Sequence, residues 1–98
     1  MDVNDKLRSE ALDNLFEAVL ALETREECYA FFEDLCTVPE LKAISQRFQV
    51  ANLLLQNKVY NDIVKETGAS TATISRVNRS LTFGSDGYRT VLTKLGKL

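Results

Sequence analysis

A chain of 98 residues with 45% hydrophobic side chains has the length for one small domain and enough apolar content for a packed core, with no room for two independent cores. It contains no histidine and two cysteines, Cys28 and Cys36; this argues against a zinc site, removes the usual general base and, without a secretory leader, points to reduced thiols. The net charge of −2 averages two unlike halves: residues 1–41 carry 11 acidic and 3 basic side chains, residues 42–98 carry 3 and 9, and only the second half suits a polyanion.

One proline and four glycines leave few places for turns and favour helices. Leu7, Ala11, Leu12, Leu15, Phe16, Val19 and Leu22 recur at steps of three and four, predicting one helix from about Asn4 to Leu22. Thr24 stands three residues before Glu27, the spacing of a capping box. A second helix follows, with Cys28, Phe31, Phe32 and Leu35 on its apolar face and its end near Cys36. The two cysteines lie about two turns apart, so they are expected to pack rather than to bond each other. Pro39 suits a first helical turn, where its missing N–H costs nothing. Leu41, Ile44, Phe48, Ala51 and Leu55 continue the three- and four-residue steps, widened by Leu53 and Leu54. A central helix from Pro39 to Gln56 is therefore expected to be buried on much of its circumference, and its length also suits a dimer seam. Asn57 and Lys58 interrupt the pattern.

From Tyr60 to Arg79 the chain reads as helix, glycine turn, helix. Ile63 and Val64 face a second helix, Gly68 supplies the turn, Ala69 tucks inward, and Ser70 is a good N-cap. Ile74 and Val77 face back, leaving Ser70, Thr71, Ala72, Ser75, Asn78 and Arg79 outside. Such a unit lays its second helix in the major groove with the N-terminal end near base edges. Short hydroxyl side chains permit close approach and can bond bases or phosphates, and a threonine methyl can touch a thymine methyl. Free N–H groups at the helix start attract phosphate, and arginines add salt-dependent affinity. Thr71, Ala72 and Ser75 are the candidates for base edges; Asn61, Lys65, Ser70 and Arg79 are the candidates for phosphates. After a break at Thr82 to Ser85, Tyr88, Val91, Leu92 and Leu95 line a last helix. The organisation expected is a single domain, with dimerisation helices over about 4–56, the helix-turn-helix over 60–81 and a C-terminal helix over 85–97.

The run PELKAISQRFQVANLLLQNKVYNDIVKETGASTATISRVNRSL resembles the Trp repressor superfamily, and is most similar to its YerC/YecD-type branch. The resemblance covers most of the chain and is most specific in GASTATISR. It implies an all-α, six-helix fold and an intertwined homodimer presenting one helix-turn-helix per subunit. Val64 departs from the alanine usual at its place, which implies slightly more separated helices. The resemblance also implies an effector pocket beside the recognition helix, at Arg47, Thr73, Arg76, Val77 and Ser80. Two departures oppose tryptophan there: Val77 replaces a glycine, adding methyl groups where the ligand needs space, and Val38 replaces a threonine, removing a polar contact. Overpacking and a lost polar partner each commonly cost on the order of 1–3 kcal/mol, together roughly a hundredfold or more in affinity.

The leading reading is a cytoplasmic, sequence-specific DNA-binding regulator, a repressor acting as a homodimer on a palindromic operator. It needs no cofactor, and the sequence leaves open whether any small-molecule effector exists. No run of about 18 apolar residues suggests a membrane span. No Gly-rich phosphate loop appears and no nucleophile and base can be assembled, so the chain is not read as an enzyme. The alternative reading is a helical dimeric adaptor that binds a protein partner through its acidic first helices, at Glu10, Asp13 or Glu17.

Overall fold

In a computed structural model that describes residues 3–98, the chain forms six α-helices, one 3-10 turn and no strand. The helices are α1 (Glu10–Leu20), α2 (Arg25–Leu35), α3 (Val38–Leu55), α4 (Tyr60–Thr67), α5 (Thr71–Phe83) and α6 (Gly87–Lys94). Contacts divide the described chain into two segments, Val3–Leu41 and Lys42–Leu98.

In the first segment the expected single helix from Asn4 to Leu22 is broken. A 3-10 turn spans Asp5–Leu7, and α1 starts afresh after Ser9. The cause is local: extended Ser9 accepts the Leu12 N–H on its hydroxyl at 3.1 Å and so caps a new helix. The capping box of α2 forms as the spacing predicts. Thr24 Oγ1 accepts the Glu27 N–H at 3.1 Å, and Glu27 Oε1 accepts the N–H groups of Thr24 and Glu23. A second reciprocal pair opens α3: Thr37 N–H donates to Glu40 Oε1 at 2.9 Å, and Glu40 N–H donates to Thr37 Oγ1 at 3.3 Å. Hydrogen bonding to the carboxylate, from the Thr37 N–H first and the Thr37 hydroxyl second, holds the Glu40 carboxyl below its ordinary pKa. Neither cysteine is in a disulfide; Cys36 is half-buried as expected, but Cys28 is exposed. No residue of α1 or α2 is fully buried, and Phe16, Leu20 and Tyr29 lie largely in the open.

The second segment holds the core. Val50 and Ala51 from α3, Ile63 from α4, Ala69 from the turn, and Ile74, Val77 and Leu81 from α5 form one buried cluster. Leu53, Leu54, Leu55, Val64 and Tyr88 pack around it. Within α3 only Val50 and Ala51 are fully buried, while Ile44 and Phe48 are exposed, so the expected burial around much of the helix is not found in one chain. The helix ends where Asn57 takes a left-handed conformation (φ 63°). Its N–H bonds the Leu54 carbonyl and the Lys58 N–H reaches back to Leu53, which satisfies carbonyls left over in the last turn. α5 runs on to Phe83, so the break expected from Thr82 is confined to the residues after it. α6 begins after Asp86 rather than at residue 85.

Candidate nucleic-acid interface

Helices α4 and α5 with the turn between them form the helix-turn-helix, and the turn is fixed by hydrogen bonds as well as by packing. Gly68 sits at φ 72° and donates its N–H to the Val64 carbonyl at 2.8 Å. The left-handed conformation carries no penalty for glycine. Ala69 is 2% exposed, tucked beneath α5 as its size suggests. Thr67 was not singled out in the sequence, yet it ties the turn together. Its hydroxyl donates to the Ile63 carbonyl at 2.7 Å and accepts the Ala69 N–H at 3.0 Å. From α3, the Gln46 amide donates to the Thr67 carbonyl at 3.2 Å. A threonine in the last turn before a glycine gave a local hint; the Gln46 bond, spanning 21 residues, gave none.

Ser70 N-caps α5. Its hydroxyl accepts the Thr73 N–H and bonds Thr73 Oγ1, both at 3.1 Å. The hydroxyls of Ser80 and Thr82 turn back onto the carbonyls of Arg76 and Asn78. Of the hydroxyl side chains along α5, Thr71 and Ser75 are left without a partner among the described residues. They lie one turn apart with Ala72 beside them, and all three are exposed. Asn78 and Arg79 extend the same outward arc, while Ile74, Val77 and Leu81 point the other way into the core. On α4, Asn61 and Lys65 are exposed. Neither Arg76 nor Arg79 is in an ion pair among the described residues, where the ion pairs are Arg8–Asp5 and Arg89–Asp86.

The far end of α5 is clamped. Gly84 donates its N–H to the Ser80 carbonyl at 2.9 Å, and a Cβ at this position would lie 2.3 Å from that oxygen. The Arg89 guanidinium from α6 bonds the Leu81 carbonyl and the Asp86 carboxylate. A charged donor at the last carbonyls of a helix also complements its dipole. Arg89 therefore belongs to the framework that holds the end of α5, a role that no local sequence pattern signals.

Of the residues implied around an effector, Thr73, Arg76, Val77 and Ser80 recur at three- and four-residue steps along α5, and Arg47 lies on α3. Val77 is 1% exposed within the core cluster, Thr73 is engaged with the Ser70 cap, and Arg47 is half-buried on α3. Arg76 and Ser80 share a shallow surface groove of about 280 Å³ with Arg79, Phe83 and Gly84. A larger groove of about 550 Å³ is lined by Phe48, Ser80, Gly84, Ser85, Gly87, Tyr88 and Val91, with the Phe48 and Tyr88 rings 6.4 Å apart. The described residues contain no cluster of three metal-ligating side chains and no helix long and apolar enough to cross a membrane.

A recognition helix held by its inner face, capped at one end and clamped at the other, defines a small all-α protein of the helix-turn-helix class. The Trp repressor protein family matches residues 10–96, and the chain belongs to that family. It is 50% identical over 91 residues to the uncharacterized protein YerC of Bacillus subtilis (strain 168), covering 93% of this chain and 88% of YerC. Two crystal structures superpose on nearly its whole length. A candidate Trp repressor from Staphylococcus aureus matches with a TM-score of 0.92 at 55% identity, covering 96% of this chain and 94% of that one. A TrpR-like protein from Eubacterium eligens ATCC 27750 matches with a TM-score of 0.93 at 54% identity, covering 97% and 98%. The fold is thus all-α and Trp repressor-like, and family and fold together suggest a DNA-binding regulator.

Proposed function

We propose that the protein is a cytoplasmic, sequence-specific transcription repressor that binds a palindromic operator as a homodimer and does so without tryptophan. The observation that carries this reading is the two-sided build of α5. Ile74, Val77 and Leu81 are buried, while Thr71, Ala72, Ser75, Asn78 and Arg79 form an exposed arc free of ion pairs among the described residues. Thr71, Ala72 and Ser75 meet base edges. Asn61, Lys65 and Arg79 hold phosphates, joined by the first-turn amides of α5. Ser70 takes a smaller part than its place suggests, because its hydroxyl already caps the helix. The homodimer is supported by the uncovered apolar faces of α1 and α2, and twofold symmetry then implies two half-sites about one helical turn apart.

Independence from tryptophan rests on Val77. Its side chain is buried in the same cluster as Ile63 and Ile74, so the recognition helix is held by the protein's own packing. The methyl groups of Val77 fill space within that cluster, which supports a recognition helix that needs no ligand to hold it.

The test is selection of bound duplexes from a random pool near physiological salt, with and without tryptophan. The same palindrome enriched in both arms is expected. Enrichment only with tryptophan contradicts the role of Val77. A folded dimer that enriches nothing contradicts the DNA reading and favours an adaptor acting through the acidic first helices.

A further inference from the structure

Resting on the DNA-reading function proposed above, we infer that the specificity of this interface comes from thymine methyl groups, touched by the methyls of Thr71 and Ala72. The hydrogen-bonding state of α5 leads there. Strong direct readout uses forked or amide side chains: Arg or Lys on guanine, Asn or Gln on adenine. None occurs from Ser70 to Ser75, the stretch that enters the groove first. The first long polar side chain beyond that stretch is the exposed Arg76, which lines the groove with Ser80, Phe83 and Gly84 toward the far end of the helix, followed by Asn78 and Arg79. Hydroxyls could replace them, but those of Ser70 and Thr73 are bonded to each other across the cap.

What remains exposed at the tip is the Ala72 methyl, the Thr71 methyl and hydroxyl, and the Ser75 hydroxyl. Of the four bases only thymine presents a methyl in the major groove, so an apolar tip discriminates thymine from cytosine and from both purines. Two small methyls also allow the closest approach of the helix to the base edges. Ser75 adds one adaptable hydrogen bond, which accepts either a donor or an acceptor base. Its readout is therefore permissive, and the methyl contacts carry the choice.

The experiment uses the full-length protein and the palindrome enriched in the selection above. Each thymine is replaced in turn by deoxyuridine, which removes the methyl and leaves base pairing unchanged. At one or two positions per half-site the exchange is expected to weaken binding about three- to fivefold, the effect of one buried methyl. Made in both half-sites together, it is expected to weaken binding roughly tenfold or more. Thr71→Ser and Ala72→Gly should each bind the thymine duplex less tightly and show a reduced difference between thymine and uracil at one position, with helicity checked by circular dichroism. If the natural duplex is bound tightly and no exchange to uracil matters, the thymine readout is overturned while the DNA-reading function stands. Sensitivity to uracil that persists unchanged in both variants places the methyl contacts elsewhere and overturns the assignment. If no duplex is enriched at all, both readings fall together.

Discussion

The two segments of this chain treat their apolar residues in opposite ways. Residues 42–98 bury Val50, Ala51, Ile63, Ala69, Ile74, Val77, Leu81 and Leu92 to 7% exposure or less. Residues 3–41 bury none to that degree, although α1 carries as regular an apolar stripe as any helix in the chain. Leu20 is 82% exposed and Phe16 52%. The second segment has a core of its own; the first presents apolar surface of the kind that marks an interaction site. A stripe of apolar residues says which face of a helix will be covered, but not which chain covers it. The same contrast runs through the charges, since the segment with the uncovered stripe is the acidic one and the segment with the core carries the cations of the proposed DNA face.

The largest effect is expected where that contrast is broken from the uncovered side. If a second copy covers α1, Phe16→Asp removes two rings per dimer. At about 3 kcal/mol per ring and about 1.4 kcal/mol per decade, dimerisation should weaken by roughly four orders of magnitude. Light scattering across a dilution series measures this, and the melting temperature should become concentration-dependent at higher protein. A surface residue touching nothing would change stability by no more than about 0.5 kcal/mol. A Phe16→Asp protein with unchanged mass and melting behaviour would therefore refute the dimer through this face.

From the buried side, Ile74→Ala is the next largest. It leaves a cavity between α5 and the rest of the cluster, and buried Ile-to-Ala changes cost about 2–5 kcal/mol. Urea unfolding should show a lower midpoint with an unchanged slope. Because Ile74 lies inside the segment that holds its own core, the loss should be independent of protein concentration once the oligomer is saturated. A loss that tracks oligomer dissociation instead would mean that the second segment does not hold together by itself.

Two glycines sharpen the comparison within the second segment, since they are needed for different reasons. Gly68 has a left-handed conformation and open space where a Cβ would stand, so Gly68→Ala should cost only the conformational penalty of about 1–2 kcal/mol. Gly84 has an ordinary φ of −87°, but a Cβ would meet the Ser80 carbonyl oxygen, so the backbone after α5 must move. Gly84→Ala is therefore expected to reduce protection of the last-turn amides of α5 from hydrogen exchange, while Gly68→Ala leaves them protected. Equal protection in the two variants would show that the clamp of Gly84 and Arg89 is unimportant to the end of the recognition helix.

These glycines also show what the sequence reveals. Gly68, Ser70 and the Thr24–Glu27 box were legible because their partners lie within four residues and the residue types have few other uses. The break at Ser9 was not, because Leu7 and Ala11 keep a four-residue step across it and hide the cap between them. The exposed arc of α5 was legible from periodicity alone, but which of its hydroxyls are already bonded was not. Ser70 and Thr71 look alike in sequence, and only the bond from Ser70 to Thr73 separates an occupied hydroxyl from a free one. Val77 was legible as a residue facing back from α5, and the structure makes it part of the core. Gln46 and Arg89 were invisible because each acts on the backbone of a distant turn, which no local pattern records.

The smallest effect lies at the start of α3, where the uncovered segment passes into the one with the core. Glu40 has its pKa lowered by the Thr37 N–H and hydroxyl, so its ionised form is favoured in the folded chain. A depressed carboxyl contributes stability above its unfolded pKa and loses that contribution as the pH falls through the folded one. Acidification through the lowered Glu40 pKa should therefore loosen this cap, with the rest of α3 still helical. Thr37→Ala removes the hydroxyl but keeps the N–H, which is the larger cause. The Glu40 carboxyl followed by NMR should then titrate at a higher pH than in the natural protein, yet still below an unperturbed glutamate. A value that returns fully to the ordinary range would mean that the Thr37 N–H does not hold the carboxylate unless its hydroxyl closes the box.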